Sequence, residues 1–265
     1  MTLRRLLLAV AVVVLGVLLF VMLRIEAGPP TASTVAAATT TISVPSTASS
    51  STVVSSSTST SMIPTTTHPP VTSTSPSLPV FQSSTGMVAA AELPSSWREG
   101  CPLGVEALRS VEVSHFGYDG RVHTGRLIVA AEVADDMVDI MSQLFAASFP
   151  IERMEPVDVY DGDDDLSMAA NNTSAFNCRL VTGGGSWSEH SYGTAIDVNP
   201  LVNPYVIGRT VLPPAGAAYA DRSLEATGMI HDGDVVVEAF ASHGWIWGGT
   251  WSSPKDYQHF STSGW

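Results

Sequence analysis

From Gly28 to Ala91 the chain carries no Asp, Glu, Lys or Arg, and between Thr31 and Gly86 serine and threonine supply 31 of 56 residues, with six prolines among them. Such a stretch has too little large apolar surface to offset the entropy of ordering its backbone. It divides the chain into an N-terminal segment 1–27, a disordered linker 28–87 and a foldable part 88–265, the last being of ordinary single-domain size.

The N-terminal segment is an apolar run, Leu6 to Leu23, with Arg4 and Arg5 before it and Arg24 after it. Eighteen helical residues rise roughly 27 Å, close to the hydrocarbon thickness of a bilayer. A secretory signal has a shorter apolar core and a small-residue cleavage site, and Arg24 to Glu26 is a poor match to one. The expectation is therefore an uncleaved single-pass transmembrane helix. The two leading arginines keep the N-terminus cytoplasmic, so the domain would lie outside the cell membrane, on the cell-wall side, tethered by the linker. Cleavage as a signal would export it equally.

Nine of the basic and 24 of the acidic residues fall after the linker, giving that part a net charge of −15. Nucleic acid as a partner is excluded by that balance, since a nucleic-acid footprint needs a basic stripe to displace counterions. The only cysteines, Cys101 and Cys178, both lie in the foldable part. In an oxidising compartment such a pair is expected to form a disulfide, stabilising the domain by roughly 4 kcal/mol in the chain-entropy model.

Residues 110–115 and 125–131 are β-branched stretches separated by the turn signal FGYDG, and are expected to pair as strands. Met137, Ile140, Met141, Leu144 and Phe145 recur at helical spacing ahead of Pro150, and residues 234–243 fit a second helix stopped by Gly244. Trp245 to Trp247 and Ala195 to Asn199 alternate as strands do. Strands and helices mix without a βαβ rhythm, so the fold class expected is α+β.

The stretch SEHSYGTAID, 188–197, carries a histidine and an aspartate seven positions apart around Gly193. In a strand Asp197 faces away from Ile196 and Val198, which point into the core, and His190 can fold back over the turn towards it. A catalytic zinc takes three protein ligands and leaves one position open. His259 is the best third candidate, because it ends Asp256-Tyr257-Gln258-His259, and in a helical or 3₁₀ turn residues three apart share one side. Asp256 would then stand beside a metal without ligating it, where a general base belongs. Spacing alone leaves this open, since a lone His or Asp is more often an ordinary hydrogen-bonded residue.

The two stretches together, with NNTSAFNCR, NPLVNPY and GWIWGGTW, resemble the zinc-dependent D-alanyl-D-alanine carboxypeptidase and L-alanyl-D-glutamate endopeptidase family of VanY-like (LAS) metallopeptidases. Ser188, His190, Gly193, Ala195, Asp197, Asp256 and His259 fill its pattern. The resemblance implies a small antiparallel sheet with flanking helices (LAS/hedgehog-like) carrying a Zn²⁺ site. Its ligands would be His190, Asp197 and His259. Asp256 would be the base that takes a proton from water, and Arg179, upstream of the first ligand, the candidate to stabilise the oxyanion. Many relatives have Glu at the base position, and Asp fits the endopeptidase branch better. The implied partners are peptidoglycan stem peptides. A non-catalytic zinc-containing wall-binding or signalling module is the competing reading, though such a module would be expected to lose the base first. A serine hydrolase is poorly supported, since the G-x-S-x-G signature is missing. Trp245, Trp247 and Trp251 could wall a substrate groove or simply pack the core. Asp161, Asp163, Asp164 and Asp165 lack the spacing and glycine of an EF-hand calcium loop and are expected to form a solvated acidic loop, which could still touch substrate through Ser167 or Asn172. The other four histidines of the domain, His115, His123, His231 and His243, are expected to be structural.

Overall fold

Alternation of large apolar and polar residues over 108–130 builds the longest hairpin among the described residues. The computed structural model describes residues 79–181 and 184–265; the expected membrane anchor and nearly all of the linker lie outside them. No helix among the described residues is long and apolar enough to cross a membrane.

The strands are β1 (Ser83–Met87), β2 (Leu108–Phe116), β3 (Val122–Ala130), β4 (Arg153–Met154), β5 (Asn172–Thr173), β6 (Ala195–Asp197), β7 (Tyr205–Ile207), β8 (Thr210–Leu212), β9 (Ile246–Trp247), β10 (Lys255–Asp256) and β11 (His259–Ser261). The helices are α1 (Ala134–Ala146), α2 (Asp164–Ala169) and α3 (Val235–Ser242). The class is α+β as expected, but with three small antiparallel sheets, β1-β2-β3, β10-β7-β8 and β6-β11-β9, and a parallel pair β4-β5.

Composition assigns 83–87 to the linker, yet these residues form β1 and pair antiparallel with β2 from Ser83 opposite Val113 to Met87 opposite Arg109. The ordered part therefore starts before residue 88. All five β1 residues are exposed, so the strand is held by main-chain hydrogen bonds along the open edge of β2, which composition does not report.

The period of two places Val111, Val113, Leu127 and Val129 on one face of the β2–β3 hairpin. Against that face packs α1, whose Met137, Ile140, Met141 and Leu144 are buried and whose first turn carries Asp135 and Asp136, favourable beside the positive end of the helix. The opposite face buries Leu108 and Ile128 with Phe176 and Cys178. There Cys178 is bridged to Cys101, as expected. The inward residues of α3 and the β6-β11-β9 sheet complete the larger core; Phe240 stacks on Phe260 at 4.1 Å and meets Trp245 edge-on. Trp245 and Trp247 belong to that core, so two of the three tryptophans offered as a groove wall are packing residues.

Candidate metal centre

The sheet β6-β11-β9 sets two of the expected ligands opposite one another. Asp197 on β6 pairs with His259 on β11 as direct antiparallel neighbours, a position that brings side chains on one face to within contact. His190 arrives from the 3₁₀ turn Glu189–Tyr192, which Gly193 closes at φ +67°. A Cβ on Gly193 would lie 2.6 Å from the Ala130 main-chain nitrogen, so the turn can dock on the end of β3 only with glycine there.

The three side chains converge. His190 Nε2 lies 3.3 Å from Asp197 Oδ2 and 3.3 Å from His259 Nδ1, while His259 Nδ1 is 3.0 Å from Asp197 Oδ1. Two donors about 2.0–2.1 Å from a tetrahedral ion are about 3.3 Å apart, so the spacing is that of a zinc ligand set. All three residues are buried, and they make up the one group of this kind found among the described residues. Each imidazole also turns its other nitrogen to a main-chain oxygen: His190 Nδ1 donates to Ala175 at 2.6 Å and His259 Nε2 to Trp265 at 2.9 Å. Those contacts leave His190 Nε2 and His259 Nδ1 as the nitrogens that face the centre and could ligate there when unprotonated. Ligand identity, spacing and tautomer all fit a divalent cation.

Charge at the centre is tightly coupled. Burial opposes ionisation of Asp197, yet His190 and His259 outweigh it and hold the carboxyl far below the usual carboxylate range. Burial likewise opposes a charged His259, but the hydrogen bond and charge of Asp197 raise it to about 9. Without metal the ring is therefore doubly protonated at neutral pH, and a metal ion held by this residue would have to displace a proton. Binding at pH 7 to 8 is expected to release about one proton per ion from this residue, with affinity rising about tenfold per pH unit until pH 9. Calorimetry in buffers of differing ionisation enthalpy measures that release directly.

Asp256 sits on β10, in a different sheet, opposite Tyr205 of β7. The segment 256–259 is thus two strand ends joined by a bend, and not the helical turn expected from its spacing. Asp256 still borders the centre. Its carboxyl is raised to about 7, first by burial, with His259 pulling it down and Asp197 pushing it up. Its Oδ1 is buried with no hydrogen-bond partner. Gly248 makes the approach possible, since a Cβ there would be 2.6 Å from the Asp256 carbonyl oxygen and 2.8 Å from its Cβ. That role was not read from the sequence, although the Gly248-Gly249 pair is a visible signal of close backbone contact.

Arg179 is tied to the first ligand's turn through its backbone, its N–H donating to Ser191 Oγ at 3.0 Å and its carbonyl accepting from Ser188 N–H. Its Nη2 pairs with Asp164 Oδ2 at 2.7 Å, and its Nε is buried and unpartnered. The acidic loop is therefore not a detached solvated run: Asp163 caps α2 by accepting from Leu166 N–H, and Asp164 holds the arginine. Ser167 and Asn172 are buried and bonded to each other, Asn172 Nδ2 donating to Ser167 Oγ at 3.0 Å. His115 approaches the Phe116 carbonyl, and His123, His231 and His243 pair with Asp119, Asp234 and Asp136. Of the three tryptophans only Trp251 borders the centre, its ring 5.6 Å from that of His259.

Residues 182–262 match the model of a protein family described as D-alanyl-D-alanine carboxypeptidase. That stretch is less than half of the chain and contains His190, Asp197, Asp256 and His259. No curated protein and no solved structure matches the chain. The family match and the buried His190–Asp197–His259 group together support a zinc peptidase.

Proposed function

We propose that the chain is a zinc metallopeptidase that hydrolyses peptide bonds in peptidoglycan stem peptides, of the D-Ala-D-Ala carboxypeptidase or L-Ala-D-Glu endopeptidase type. The observation that carries the reading is an orphaned buried oxygen, Asp256 Oδ1, beside three converging metal-ligand side chains. A buried carboxylate oxygen without a partner is costly unless something else engages it, and the proton of an attacking water is the fitting partner.

His190, Asp197 and His259 would hold the ion, which when bound supplies a Lewis acid that acidifies water and polarises a carbonyl. Asp256 takes the proton from the attacking water and passes it to the leaving amine. Arg179 offers its guanidinium to the developing oxyanion, with Asp164 fixing the side chain in place. Arg179→Ala is accordingly expected to lower kcat by about 10²-fold with KM and zinc affinity little changed; steady-state kinetics on the same peptide checks it.

The apolar run Leu6 to Leu23 and the linker place this activity, in our reading, at the outer face of the cell membrane, within reach of the wall. The full chain incubated with zinc and purified muropeptides, with and without a chelator, is expected to give chelator-sensitive cleavage, and mass spectrometry of the products identifies the bond. Zinc binding with no product from any stem peptide would favour the non-catalytic wall-binding module instead.

A further inference from the structure

The two histidine ligands are anchored by unequal partners. His190 Nδ1 donates to the carbonyl of Ala175, a residue 3 % exposed within the main core. His259 Nε2 donates to the main-chain oxygen of Trp265, a residue 75 % exposed. That oxygen is delivered by a short return of the chain after β11. Ser261 is wholly buried, and its Oγ donates to the same Trp265 oxygen at 2.8 Å while accepting from Gly264 N–H at 3.1 Å. Gly264 adopts φ +84°, a conformation that L side chains rarely take, and a Cβ there would lie 2.8 Å from Ile246 Cδ1 of β9. The Trp265 ring lies 6.0 Å from Trp251, whose ring in turn faces His259.

We infer that the segment Ser261–Trp265 is a clasp that positions His259, with Ser261 as the positioning residue: it holds the oxygen that fixes the imidazole with its Nδ1 lone pair towards the metal centre. The physical reason is that an imidazole has two tautomers and a free ring rotation. A fixed acceptor on Nε2 selects the tautomer that ligates through Nδ1, and it raises the basicity of the ligating nitrogen. The His190 anchor is part of the core and cannot leave without unfolding. The His259 anchor is a surface turn held mainly by one hydroxyl and a tilted contact between two indoles, so it can detach while the sheet stays intact. Zinc affinity is thereby tied to whether this clasp is closed.

The inference rests on the zinc reading above, and its test separates the two. Zinc affinity of the full chain is measured by chelator competition at fixed pH for the unaltered protein, for Ser261→Ala, and for a chain stopped after Thr262. The melting temperature of each metal-free protein is recorded as a folding control. Both variants are expected to bind zinc about 10- to 100-fold more weakly, the usual effect of removing such an anchor. The hydrogen-bonded Nε2 proton of His259, visible by NMR in the unaltered protein, is expected to be lost to solvent exchange in both. Gly264→Val, which strains the turn without touching a ligand or Ser261, is expected to weaken zinc in the same direction. Unaltered zinc affinity in the stopped chain would overturn the clasp while leaving the peptidase intact. Failure of the unaltered protein to bind zinc would overturn both.

Discussion

Asp256→Ala is expected to lower kcat on stem peptides by about 10²- to 10⁴-fold while zinc affinity and melting temperature stay near those of the unaltered protein. The separation of the two effects follows from where the residue stands. His190, Asp197 and His259 come from one turn and two paired strands, whereas Asp256 belongs to another sheet and is not one of the converging ligands. Its Oδ1 is buried without a partner, so truncation removes an unsatisfied group and costs the fold little. Burial has raised the carboxyl to about 7, within reach of neutral-pH proton transfer. A cation beside it lowers that value, so the acid limb of the kcat/KM profile is expected below pH 7 and is expected to vanish in the alanine variant. A variant that cleaves at the unaltered rate, or one that loses its zinc, would remove Asp256 from the role of base.

Which parts of this were legible in the sequence depends on whether side chains or main chain carry the information. The cluster was legible because such a centre is made of side chains: spacing offers His190, Asp197 and His259 without deciding for them, the family resemblance implies them as ligands, and the three side chains converge. The β2–β3 hairpin and α1 were legible because their apolar periods match their burial, from Val111 and Val113 to Met137 and Ile140. By contrast β1 is held by its backbone on the edge of β2, with every side chain exposed, and a Ser/Thr composition says nothing of that. The bend at 256–259 was misread for a related reason, since a spacing of three fits a helical turn as well as two strand ends meeting at an angle. Carbonyl anchors such as those of Ala175 and Trp265 have no signature at all, because every residue has the same oxygen. Asp164 as the partner of Arg179 was hidden within a run of four aspartates, where composition favoured solvent.

Asp197→Asn is expected to weaken zinc binding by roughly 10²- to 10³-fold, taking the apparent binding energy of a zinc site as about 3–4 kcal/mol per ligand. It is also expected to weaken the pH dependence of the metal-free site. In the unaltered protein Asp197 raises His259 to about 9, above its ordinary value near 6.5. Folding then favours the protonated ring, so this residue's contribution to stability is complete below about pH 6.5 and is lost as pH rises through 9. Asp197 itself, held far below the usual range, stays ionised throughout that window, and its contribution to stability is lost only as pH falls through its ordinary value of about 4 and below. With asparagine at 197, only Asp256 and the Trp265 main-chain oxygen oppose burial at His259, and the ring's value falls back towards its ordinary one. The preference of the folded state for the proton shrinks with it, so less stability is gained at this residue as pH falls. Urea midpoints of chelator-treated proteins at pH 5.5 and pH 8 measure the difference: relative to the unaltered protein, the asparagine variant is expected to lose more at the lower pH. An equal loss at both would mean that Asp197 does not set the charge of His259, and the electrostatic account of the centre would fall with it.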